Sequence, residues 1–193
     1  MNLEKIEKSF IPSSDKKSSI SKRGMVATAF PQATEAGIEM LKKGGNAVDA
    51  AIAAGVLLGL CEPQMTGIGG DCFVLYNRAG ENRVRALNGS GRAAAAAHAD
   101  HLRAQGRQTV PLNTADAVTI PGAMDAFCRL AETEGKLGLD AILAPAIHYA
   151  DEGVPVAPRV AFDWGNDAST LQGSARAAYL FDGKAPTQGN SKP

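Results

Sequence analysis

The chain's 193 residues are enough to bury a sizeable core, and 20 Lys and Arg against 20 Asp and Glu leave a formal charge of zero. That balance supplies neither the positive field that attracts nucleic acid nor one that holds a protein on an anionic membrane, and no apolar run is long enough to span a bilayer. Aromatics make up only 5% while Gly (21) and Ala are abundant, which favours helices packed closely through small side chains.

Residues 1–23 mix Lys, Ser and acidic side chains with Pro12, so they read as a mobile polar arm ahead of a domain spanning residues 24–193. They hold no secretory apolar region, and a cytoplasmic location is expected. Order is predicted from Gly24, with MVATAF (25–30) as a short buried strand ending at Pro31. A helix follows over 31–43, placing Ala33, Ala36, Gly37, Met40 and Leu41 on one face, until Gly44 and Gly45 stop it. Asn46 then caps a second helix, with Asp49 completing a capping box. That helix, from Ala47 to Leu60, is apolar nearly all round and is expected at the centre of the core.

After Glu62-Pro63 the turn TGIGGD (66–71) leads into CFVLYN and, past RAGEN, into VRALNG, a predicted β-hairpin with Gly80 in its connection. Residues 93–106 favour a helix by propensity, and AVTIPG (117–122) reads as a strand. From Gly122 an amphipathic helix turns Ala123, Ala126, Phe127, Leu130 and Ala131 inward and closes near Gly135. A further helix from about Leu139 has Ile142, Leu143, Ala146, Ile147 and Ala150 as its apolar set; Pro145 either kinks it or starts a second segment, and Gly153 and Pro155 end it. Beyond Pro158 the pattern weakens, and DGKAPTQGNSKP reads as a loop cut short. Mixed helices and strands place the fold in the α/β (α+β) class.

Few groups suggest chemistry on their own. Cys61, Cys72 and Cys128 lack the paired spacing of a zinc site or disulfide framework and read as small buried hydrophobes. Gly67-Ile68-Gly69-Gly70 follows a helix and precedes a strand, the reverse of a nucleotide-binding fingerprint, so a tight turn with close backbone approach is the better reading. His98 and His101 stand one helical turn apart without a third ligand, and His148 is a helix-face residue; neither metal nor cofactor is expected. Ser90, in GSG, lacks the flanks of a nucleophile elbow. Arg92 follows a strand and that Gly-Ser-Gly turn. It is either an ordinary surface arginine or a guanidinium facing a cleft, where it grips a carboxylate through two hydrogen bonds.

In order, the segments GGNAVDAA, EP with GIGG, LNGSGR, AVTIPGAMDAF, and APAI with EGVPV closely resemble the γ-glutamyltranspeptidase family from about Gly24 onward. The resemblance implies an N-terminal nucleophile hydrolase with an αββα sandwich, of which this chain matches the front of the large subunit. It implies a precursor that cuts itself into large and small subunits, and a new N-terminal Thr that attacks γ-glutamyl amides such as glutathione. The acyl group then passes to water or to an amino acid or peptide. No catalytic residue is expected within these 193; Arg92 matches the family arginine that binds the donor α-carboxylate. Where the family often has a third consecutive glycine this chain has Asp71, and Ala93 to Ala97 stand where a Pro is common. Those departures prompt a second reading, a related acylase for a non-glutamyl amide, and the loop-like end at Lys192-Pro193 prompts a third, a non-catalytic fragment.

Overall fold

A computed structural model describes residues 19–112 and 114–189. The helices are α1 (Pro31–Lys42), α2 (Ala47–Cys61), α3 (Ala99–Ala104), α4 (Ala123–Glu134), α5 (Leu139–Glu152), α6 (Pro158–Asp167) and α7 (Gly173–Tyr179). The strands β1 (Cys72–Asn77) and β2 (Val84–Gly89) form an antiparallel pair running from Cys72 opposite Gly89 to Asn77 opposite Val84.

The centre is α2, which packs on α1, α4 and α5. Its start follows from the sequence: the Asn46 side chain accepts the amides of Val48 and Asp49 at 2.8 and 3.1 Å, while Asp49 accepts the Asn46 amide at 2.7 Å. Ile52 and Leu57 are completely enclosed, each contributing about 1.5–3 kcal/mol by leaving water. Small residues let the helices approach closely: Ala33 and Ala36 of α1 share a cluster with Ala54 and Leu57 of α2 and Ala146 of α5. A second cluster joins Met40, Ile52 and Ala53 to Leu130 of α4 and Ile142 of α5. Thus α4 connects the helical layer to the hairpin, with Ala126 buried beside Cys72.

Several expectations change. Residues 25–30 form no strand, and the chain bends at Ala29 and Phe30; Val26 packs into the Met40 cluster, but no described strand lies beside it to share ladder hydrogen bonds. Residues 117–122 likewise form no strand. A 3₁₀ turn (Ala115–Ala117) takes up the first of them, and Pro121 lacks the amide that a ladder requires. The helix expected over 93–106 shrinks to α3, because none of its residues is buried and propensity alone does not hold so short an isolated helix. His98 consequently precedes the helix; His101 lies within it, next to Gln105. In α5 the chain passes Pro145 without a break, while Ile147 is 56% exposed and Ala150 is also exposed. Both face an open cavity described below. Cys61 and Cys72 are buried as expected, but Cys128 is only half-buried. The polar arm falls mainly on residues 1–18, outside the described residues; 19–23 are exposed.

No described helix is long and apolar enough to cross a membrane, and no metal-binding cluster of His, Cys, Asp or Glu occurs among the described residues.

Candidate substrate-binding turn

Strand pairing stops at Cys72 and Gly89, so Asp71 and the residues 90–92 leave the same end of the hairpin together. There the main chain is crowded. The Gly70 carbonyl accepts the amides of Gly122 and Ala123, at 3.2 and 3.0 Å, at the start of α4. A Cβ on Gly122 would lie 2.4 Å from the Gly89 oxygen and 2.5 Å from the Gly91 nitrogen. Gly91 has φ +76°, and a Cβ there would lie 1.8 Å from the Ile120 oxygen. Only glycine permits these two contacts, which join the hairpin's exit to the segment ahead of α4.

Three hydrogen bonds fix the turn that carries Arg92. The Ser90 amide donates to Asn88 Oδ1 at 3.0 Å, the Thr119 hydroxyl donates to the Ser90 carbonyl at 3.0 Å, and the Ile120 amide donates to the Arg92 carbonyl at 2.8 Å. Asp71 Oδ1 is a second, longer acceptor for the Thr119 hydroxyl, at 3.5 Å. Arg92 itself is exposed. Among the described residues no carboxylate forms an ion pair with it. Its backbone is held while its guanidinium is outside any ion pair among the described residues, an arrangement able to receive an anionic group.

The glycine turn before Asp71 faces another space. Residues 63–70, the end of α2, Met124, Tyr179 and the outward side of α5 line a mostly apolar cavity of about 800 Å³. Gln64 contributes a buried Oε1 with no hydrogen-bond partner among the described residues. Arg92 lines none of the cavities described here. Ser90 and the exposed His98, His101 and His148 form no nucleophile–base pair: Ser90 Oγ has the Gly91 carbonyl as its partner, and His148 stacks at a tilt against Tyr149. At the end of α2, burial and the neighbouring Glu62 charge push the Cys61 thiol up to about 11, unsuited to a nucleophile.

Sequence reasoning missed Thr119 and Ile120, whose value lies in contacts with a turn nearly 30 positions earlier. The available signal was Pro121-Gly122, which removes one amide donor and one side chain where backbones meet.

The sequence pattern of the gamma-glutamyltranspeptidase family matches residues 33–192. The glutathione hydrolase-like YwrD proenzyme of Bacillus subtilis is 36% identical over 176 residues, covering 90% of this chain and 33% of that protein. The gamma-glutamyltranspeptidase of Helicobacter pylori superposes with a TM-score of 0.82 at 25% identity, covering 91% of this chain and 52% of the other. A cephalosporin acylase from Bacillus halodurans gives a TM-score of 0.77 at 38% identity, covering 94% and 36%. The chain therefore spans about a third of the curated relative and a third to a half of the solved chains. Its helices and hairpin form part of an N-terminal nucleophile hydrolase α/β sandwich. With the family pattern covering most of its length, the chain belongs to the γ-glutamyltranspeptidase family.

Proposed function

We propose that these residues are part of a γ-glutamyl transferase or hydrolase, and that Arg92 binds the α-carboxylate of the donor. The observation that carries this reading is an exposed guanidinium, in no ion pair among the described residues, on a turn fixed by Asn88, Thr119 and Ile120. A guanidinium stays charged throughout the working pH range and offers paired N–H donors matched to a carboxylate. Outside these residues, a Thr hydroxyl adds to the γ-amide carbonyl and the amine departs with a proton. Water or an incoming amine then releases the γ-glutamyl ester and regenerates the hydroxyl. The partner is the nucleophile-bearing small subunit of the same precursor. Phe73 and Leu75 on the outer side of β1 are 68% and 77% exposed, and the proposed partner shields this apolar face.

The test is Arg92→Lys and Arg92→Ala in the enzyme assembled from this chain and its nucleophile-bearing remainder. The expected result is a raised donor KM and kcat/KM lowered ~10- to 1000-fold, about 1.4–4 kcal/mol. An unchanged KM returns Arg92 to an ordinary surface role. The chain alone should release no product from a γ-glutamyl anilide.

Asp71 favours a second reading, since its carboxylate lies near the Arg92 turn and opposes a second anion there. On that reading the donor is a non-glutamyl amide, in keeping with the similarity to a cephalosporin acylase. Competition kinetics separate the two. Glutathione that neither reacts nor competes, beside turnover of a non-glutamyl amide, selects the acylase.

A further inference from the structure

We propose that Thr119 is a positioning residue for Arg92, acting as a splint on the turn formed by residues 90–92; this rests on the functional reading above. Beyond Gly89 the hairpin no longer supplies ladder bonds. Of the three bonds that then define the turn, one is local, from the Ser90 amide to Asn88, and the other two come from Thr119 and Ile120. They fall on either side of Gly91, whose positive φ and absent side chain make it the natural pivot of the turn.

The Thr119 hydroxyl has one proton and two acceptors. The nearer, the Ser90 carbonyl at 3.0 Å, takes it, and Asp71 at 3.5 Å stays on the outer side. Loss of the hydroxyl therefore leaves Ser90, just before the pivot, held only through its amide by Asn88, and leaves the Ile120–Arg92 bond as the one remaining tie of the three to the segment ahead of α4. The side chain of Thr119 need not touch the donor; it sets where the guanidinium is held.

The experiment compares two γ-glutamyl anilides in the assembled enzyme, one with a free α-carboxylate and one with an α-carboxamide. Thr119→Val is expected to raise KM for the carboxylate donor ~3- to 30-fold while kcat stays within ~2-fold, because binding common to ground and transition states is lost. Its effect on the carboxamide donor should stay within ~2-fold. Thr119→Ser should restore the wild-type KM, and Thr119→Val should add no more than ~2-fold in an Arg92→Ala background. Should the valine variant not fold, Thr119→Cys, which offers only a weak S–H donor, reads the same split. Equal losses on both donors, or none on either with an active wild type, would overturn the splint alone. A wild-type enzyme inert toward γ-glutamyl donors would overturn the functional reading and this proposal with it.

Discussion

The carboxylate of Asp49, in the first turn of α2, accepts the amides of Lys136 at 3.0 Å and Leu137 at 3.4 Å, across 87 and 88 positions of sequence. It also accepts the Asn46 amide, and Asn46 in turn donates to the Glu134 carbonyl at 2.6 Å. A fully buried side chain thus joins the start of α2 to the loop between α4 and α5. Asp49→Ala should strand several amides and lower unfolding free energy by about 3 kcal/mol or more, with Asp49→Asn closer to ~1–2 kcal/mol because one acceptor survives. Urea denaturation of both variants measures this; a loss below ~1 kcal/mol for alanine would count against the clasp.

Two glycine substitutions should act in opposite directions. Gly122→Ala drives a methyl into the main chain at Gly89 and Gly91, where nothing flexible gives way, and a loss of about 2 kcal/mol or more is expected. Gly165 sits inside α6 with open space at its Cβ position, so Gly165→Ala should stabilise by roughly 0.5–1 kcal/mol through helix propensity. Thermal midpoints falling for the first and rising for the second would agree with this packing.

Thiol reactivity should follow burial. With its thiol raised to about 11, Cys61 presents a thiolate fraction on the order of 10⁻³ at pH 8. Burial also raises the Cys72 thiol, while Cys128 is half-buried. Limited alkylation of native protein followed by peptide mapping is expected to find Cys128 labelled first, and preferential modification of Cys61 would contradict the buried site.

Acid should weaken the junction between hairpin and α4. Glu134 receives hydrogen bonds from Arg78 Nε at 2.6 Å and from Tyr76 at 3.1 Å. Chiefly through the Arg78 bond, its carboxyl is held below the usual range, and the Arg85 hydrogen bond does the same for Glu81. A carboxyl that is more acidic folded than unfolded adds stability above its ordinary titration range, and this is lost as pH falls through the depressed value. Denaturant midpoints should therefore decline below about pH 4.5, with a shallower decline for Glu134→Gln. Identical acid limbs would remove this pair from the account.

What the sequence made legible was local. The Asn46–Asp49 capping box, the hairpin and the inward set of α4 depend on spacings within a few residues, and each forms as read. Residues 25–30 read as a buried strand because they form a short apolar run, and 117–122 also read as a strand, yet Met25, Val118 and Ile120 are exposed and a strand also needs a neighbour with free amides and carbonyls. The same limit applies to Ile147: its spacing in α5 is right, but that side of the helix borders an open cavity. Arg92 stood out because it follows a recognisable turn. Thr119 did not, since nothing near it in the sequence shows that its hydroxyl reaches Ser90.

With only two described strands, the sheet has neither side flanked by a third, and Phe73, Leu75 and Val84 lie open to water. Both features invite pairing with further copies of the same ribbon. Prepared by itself, this polypeptide should adhere to its own kind and enter larger particles as concentration rises, so the size distribution in solution gauges how strongly the open ribbon attracts a second surface.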